Sequence, residues 1–203
     1  MKTLVRRIRG RASEASAARA AKKVLKRGGT VVFPTETVYG LAADPRSASG
    51  MRKIRLVKGR KAAKAITLQV ASVGEALALV RESAAFENCA RAFWPGPVTL
   101  IGRRRGGAGK TGLRVPKHRF ALKLLEAYGS PLAVTSANPS GAADLRTEKQ
   151  ILGFAEGKVD LVVVGPRPGG LVSTVVDLTG PKPAVLRAGP VSYKEILDAA
   201  RRG

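Results

Sequence analysis

Residues 30–43 read Thr30-Val31-Val32-Phe33-Pro34-Thr35-Glu36-Thr37-Val38-Tyr39-Gly40-Leu41-Ala42-Ala43. Thr30 to Phe33 is β-branched and apolar, the composition of a short strand. Pro34 has no N–H to offer a ladder, and it ends that strand. The polar run Thr35 to Gly40 therefore sits at a strand end, where sheets form ligand crevices.

The flanking sequence supplies both kinds of element. Upstream, residues 12–27 are Ala-rich, with Ala17, Ala20, Ala21, Val24 and Leu25 at helical spacing and Gly28-Gly29 as the stop. Downstream, Ser47 to Val57 reads as a helix. Ile66, Leu68 and Val70 alternate with Thr67 and Gln69 as a half-buried strand. Helices follow near 73–80 and 84–93. Val98 to Ile101 and Thr111 to Val115 read as a hairpin around a Gly/Arg tip at 102–109. Phe120 to Tyr128 is helical, as is a segment near 147–155. Leu132 to Thr135, Leu161 to Val164, Thr174 to Leu178 and Ala184 to Arg187 are strands. Ser192 with Glu195 forms a capping box for a last helix ending near Ala200. Strands and helices intermingle without strict alternation, which predicts one α/β domain with a mixed sheet.

Composition narrows the function. The 203 residues are 44% apolar and only 4% aromatic, so the core is built from Val, Leu, Ile and Ala. No apolar run approaches the roughly 20 residues of a membrane helix. Met1 to Arg11 is basic, and no apolar stretch follows it as in a secretory leader. The protein is expected in the cytoplasm. Cys89 and His118 are each the only residue of their kind, which excludes an internal disulfide, a Cys-based zinc site and a His-rich metal site. Cys89 falls with Phe86, Ala90 and Phe93 at helical spacing and reads as core. The net charge is +23, and residues 1–64 hold 18 Lys and Arg against three acids. Such a field attracts polyanions, nucleotides or nucleic acid, and it also serves solubility.

Several clusters carry chemistry. Gly109-Lys110-Thr111 resembles the end of a P-loop, but Arg104 stands where the pattern needs Gly, and a strand follows instead of a helix. Lys58-Gly59-Arg60 places two cations together, suited to phosphates or to a solvated helix end favoured by the macrodipole. Beside a glycine, the pair is expected to be exposed. Ser136-Ala137-Asn138-Pro139-Ser140-Gly141 follows a strand and offers hydroxyl and amide donors, or is an ordinary polar turn. Arg114, Ser173 and Arg187 lie in or beside strands. An Arg there needs an edge, a partner or an anion.

Together, FPTETVYGLAA at 33–43, KGR at 58–60, WPGPVTL at 94–100, GLRVP at 112–116, PLAVTSANPSG at 131–141, STVVDL at 173–178 and LRAG at 186–189 resemble the YrdC-like threonylcarbamoyl-AMP synthases. The resemblance implies a single-domain α/β fold, with a twisted mixed sheet, flanking helices and a basic concave cleft. It implies a domain over 12–203 after a basic segment 1–11. It also implies joining of L-threonine, bicarbonate and ATP into threonylcarbamoyl-AMP and pyrophosphate, with Mg²⁺ arriving on ATP. A separate transferase would then modify adenosine 37 of tRNA. Lys58, Arg60, Ser136 and Asn138 match the family's catalytic signature and would hold ATP with Lys110 and Arg187. Thr35, Arg114 and Ser173 would hold threonine. The sequence departs from the family at Lys61, Lys64 to Ile66, Gln69 and Asp144 to Arg146. The competing readings are a non-catalytic paralogue binding RNA in the same cleft, and a related carbamoyl-transfer enzyme with another acceptor.

Overall fold

The computed structural model describes residues 2–59, 66–166 and 169–202. Its centre is a ten-stranded mixed sheet. In chain order the strands are β1 (Leu4–Arg7), β2 (Val31–Phe33), β3 (Gly40–Ala43), β4 (Thr67–Gln69), β5 (Val98–Arg103), β6 (Lys110–Arg114), β7 (Leu132–Ser136), β8 (Leu161–Val164), β9 (Thr174–Asp177) and β10 (Ala184–Arg187). In space they run β1-β8-β2-β3-β7-β4-β6-β5-β9-β10. The helices are α1 (Arg11–Lys26), α2 (Ala48–Lys58), α3 (Val73–Leu79), α4 (Ala84–Phe93), α5 (Arg119–Tyr128), α6 (Glu148–Ala155) and α7 (Tyr193–Ala200).

The opening stretch forms two strands, where composition alone marks one. β2 and β3 pair antiparallel, Val31 against Ala42 and Phe33 against Gly40, and the polar residues 34–39 connect them. Gly40-Leu41-Ala42-Ala43 has little strand propensity, so only its tertiary partners make it a strand. Those partners demand small residues. A Cβ on Gly40 would lie 2.9 Å from Val134 Cγ1, closer than van der Waals packing permits.

The basic segment 1–11 contains a strand that its composition does not announce. Leu4–Arg7 pairs in parallel with β8, Leu4 against Leu161 and Arg7 against Val164. A sheet edge tolerates cations pointing to water, which is why the charge hid the strand. The expected hairpin is present, with Arg103 opposite Lys110. Ser192 and Glu195 form the expected capping box of α7.

Three apolar clusters hold the helices to the sheet. Ala17, Ala21 and Leu25 of α1 pack with Phe120, Leu124 and Leu125 of α5 over β2 and β7. Phe86, Cys89 and Ala90 of α4 pack with Ile196 of α7 over β5 and β6. Ile54 of α2 and Ile151 of α6 pack on Val32, Leu41 and Val162. Cys89 is a core residue as expected, and burial pushes its thiol up to about 11.

One polar cluster fastens the loop after β3. Asp44 is buried, accepts hydrogen bonds from Arg46 and is hydrogen-bonded by the Tyr128 hydroxyl. The Arg46 bonds, assisted by the Tyr128 bond and opposed by burial, depress its carboxyl to about 2. A carboxyl depressed below its unfolded value contributes stability above that value and loses it as pH falls through the folded one. Asp44→Asn should therefore lower the melting temperature near neutrality and flatten its acid decline between pH 4 and 2. Thermal melts across that range check this, and an unchanged acid limb would refute it.

Candidate active site

A cleft of about 500 Å³ lies across the strands from β3 to β10. It is lined by Thr35, Lys110, Arg114, Ser136, Ser173 and Arg187, all selected from the sequence. The β2–β3 loop, the hairpin β5–β6 and the ends of β7, β9 and β10 bring these distant residues together.

Arg114 ends β6 and is only 6% exposed. Its Nε donates to Gly96 O at 3.1 Å. Its Nη2 donates to Glu36 Oε1 at 2.8 Å and Thr37 Oγ1 at 3.0 Å. Nη1 makes no hydrogen bond among the described residues. Thr35 continues this chain of bonds. Its hydroxyl donates to Val38 O at 2.6 Å, so its oxygen accepts from Thr37 Oγ1 at 3.0 Å.

Arg187, which lines the same cleft, is tethered in a similar way. Nε donates to Ser173 O at 3.0 Å and Nη2 to Ser173 Oγ at 2.8 Å. Ser173 Oγ also lies 3.0 Å from Thr99 Oγ1. Burial, then the positive charge of Arg114, push the Arg187 pKa down against the weaker pull of Asp144. An arginine remains charged nonetheless. The two guanidiniums that line the cleft therefore repel, and an anion bound by both relieves that repulsion.

Lys58, Ser136 and Asn138 form one cluster. Lys58 Nζ donates to Ser136 O at 2.5 Å, Asn138 O at 2.7 Å and Asn138 Oδ1 at 3.1 Å. Ser136 Oγ donates to Asn138 Oδ1 at 2.6 Å, and Asn138 Nδ2 donates to Ala142 O at 2.7 Å. Lys58 is 4% exposed, which overturns the expectation of an exposed cation. The physical reason is the turn after β7, whose carbonyls wrap the ammonium and compensate its lost hydration. Gly59 ends α2 just after Lys58 in the left-handed conformation, at φ 59°. Of the three, Ser136 reaches the cleft wall. Arg60 lies outside the described residues.

Lys110 bonds Asp177 Oδ2 at 2.8 Å. Burial pushes the Asp177 carboxyl up, but the bonds from Lys110 and Thr179 outweigh it and hold it below its ordinary value. His118 caps α5, with Nδ1 accepting from Ala121 N at 3.4 Å. Among the described residues, no group of three or more His, Cys, Asp and Glu could hold a metal ion.

Sequence reasoning missed four participants. Glu36 and Thr37 hold Arg114, Thr99 supports Ser173, and Asp177 holds Lys110. A fifth, Gln69, stood out only as a departure from the family pattern. It lines the cleft, and its buried Oε1 has no hydrogen-bond partner among the described residues. The only sequence signal for Glu36 and Thr37 was their place in the polar run after β2. Burial and partnership needed the fold.

A mixed α/β sheet carrying an anion-seeking cleft of tethered guanidiniums and a wrapped lysine defines a class of ligand-binding domain. The chain belongs to the Sua5/YciO/YrdC family, whose model, described as telomere recombination, matches residues 23–189. It is similar to the threonylcarbamoyl-AMP synthase of Pyrococcus abyssi, 35% identical over 88% of this chain and 55% of the relative. A second relative, the threonylcarbamoyl-AMP synthase of Thiobacillus denitrificans, is 35% identical over 81% of this chain and 91% of its own. The solved structure of P. abyssi Sua5 complexed with L-threonine superposes with a TM-score of 0.87 at 31% identity, covering 98% of this chain and 61% of that one. The chain spans about half the length of several curated relatives it matches. No helix among the described residues is long and apolar enough to cross a membrane.

Proposed function

We propose that this chain is an L-threonylcarbamoyladenylate synthase, a nucleotidyltransferase using L-threonine, bicarbonate and ATP. The observation that carries the reading is the pair Arg114 and Arg187, each tethered by the protein and both lining one cleft, whose wall Ser136 of the Lys58-Ser136-Asn138 cluster also reaches. The reaction gathers negative groups and needs them neutralised in fixed positions. Threonine's amine takes up bicarbonate carbon with loss of water. An oxygen of the resulting N-carboxylate attacks the α-phosphorus of ATP, and the bond to the pyrophosphate oxygen breaks.

In this reading Arg114 takes the threonine carboxylate, with Thr35 and Ser173 completing that subsite. Lys110 and Arg187 take the nucleotide, a role Arg60 shares by its match to the family signature, and Lys58 orders Ser136 and Asn138 for the phosphate groups. Preset donors lower the barrier because no reorganisation accompanies charge development. Mg²⁺ enters as part of the ATP substrate, held by its phosphates. The product passes to a transferase acting on adenosine 37 of tRNA, and the work is done in the cytoplasm.

The test is incubation with ATP, bicarbonate and labelled L-threonine, with detection of threonylcarbamoyl-AMP and pyrophosphate. L-threonine should be preferred over L-serine by roughly 10–200-fold, the discrimination one methyl group supports. Absence of adenylate, together with selective tRNA binding at near-physiological salt, would replace this reading with the RNA-binding one.

A further inference from the structure

We propose that Glu36 is the positioning residue of the substrate-carboxylate clamp, fixing the guanidinium plane of Arg114 so that Nη1 is left for the ligand. This rests on the synthase reading above.

The case begins with the burial of Arg114. A guanidinium 6% exposed must be paired, and the pairing decides which of its nitrogens remain free. Gly96 O takes Nε, while Glu36 Oε1 and Thr37 Oγ1 take Nη2. Bonds at two nitrogens fix both the direction and the tilt of a planar group. Glu36 Oε1 also accepts from Lys117 N at 3.0 Å. One carboxylate oxygen thus ties the β2–β3 loop to the end of β6 and to the segment before α5. Glu36 is not among the residues lining the cleft, so it acts on substrate through Arg114.

The second observation concerns Glu36 Oε2, which is buried without a hydrogen-bond partner among the described residues. A buried unsatisfied carboxylate oxygen opposes folding. An anion retained at that cost indicates a requirement for charge beside Arg114. Neutral Gln would still offer one acceptor oxygen, but without the charge that orients the guanidinium.

The test is a double-substitution cycle in the full chain, with Glu36→Gln, Arg114→Gln and the pair, following pyrophosphate release against L-threonine and ATP separately. Glu36→Gln should raise KM for L-threonine by roughly tenfold, with KM for ATP within about twofold of wild type. On the Arg114→Gln background the Glu36 change should add nothing. Glu36→Asp, which keeps the charge on a shorter stem, should recover part of the threonine KM, and it carries the same cycle if Glu36→Gln does not fold. An unchanged threonine KM, additive effects of the two substitutions, or equal rises in both KM values would overturn the proposal. A wild type that neither uses nor binds L-threonine by calorimetry removes the synthase reading and this proposal together. A wild type that uses it with an additive cycle removes this proposal alone.

Discussion

Lys58→Ala should abolish most adenylate synthesis and destabilise the protein at the same time. The ammonium is wrapped by Ser136 O, Asn138 O and Asn138 Oδ1. A hydrogen bond to a charged group contributes about 1.5–3 kcal/mol, so kcat/KM should fall between about 10- and 150-fold. Carbonyls left buried without donors each oppose folding by about 1–3 kcal/mol, and a domain of this size loses roughly 2–4 °C per kcal/mol. Lys58→Arg should not restore activity, because a planar fork cannot follow acceptors arranged around a single nitrogen. Pyrophosphate release and thermal melting measured on the same samples check both halves. Full activity in Lys58→Ala, or lost activity with an unchanged melting temperature, would contradict the role derived from the wrapped geometry.

The second large effect is expected at Arg114. Arg114→Gln removes Nη1 and leaves the half-buried Glu36 carboxylate with Lys117 N as its remaining donor. Breaking a fully buried pair from one side is destabilising by about 3–5 kcal/mol; here Glu36 is part-exposed and keeps a donor, so a smaller but measurable fall in melting temperature is expected. Threonine affinity should fall by about 10- to 150-fold, the equivalent of one charge-assisted contact. Arg114→Lys should be intermediate in stability and poor in binding. One ammonium cannot serve Gly96 O, Thr37, Glu36 and a ligand together. Calorimetry with L-threonine in the presence of a non-hydrolysable ATP analogue separates binding from turnover. Wild-type threonine affinity in Arg114→Gln would remove Arg114 from the substrate subsite.

These expectations rest on residues whose types were visible in the chain and whose environments were not. Thr35, Arg114, Ser136, Ser173 and Arg187 stood out as polar or charged groups at strand ends, and all of them line the cleft. Lys58 and Asn138 stood out too, but as donors for a ligand, whereas they are bonded to one another. Gly40–Ala43 and Leu4–Arg7 escaped as strands. The first is made of small residues required by a close neighbour, and the second is an edge strand rich in cations. In both cases the deciding interaction is remote in sequence, with β7 for one and β8 for the other.

By itself the sequence determined the α/β class, the helix caps, the surplus of positive charge and the ordered motifs that mark the family. Each depends on local periodicity, on residue chemistry at short spacing or on simple counts. Only the tertiary structure decided which nitrogens of Arg114 and Arg187 are spent on the protein. It also decided that Lys58 is enclosed instead of exposed, and that Glu36 holds Arg114 from 78 positions away. Burial and hydrogen-bond partnership are properties of the assembled sheet, because a charge in the folded chain is tuned by groups that touch it across strands and not by its neighbours along the chain.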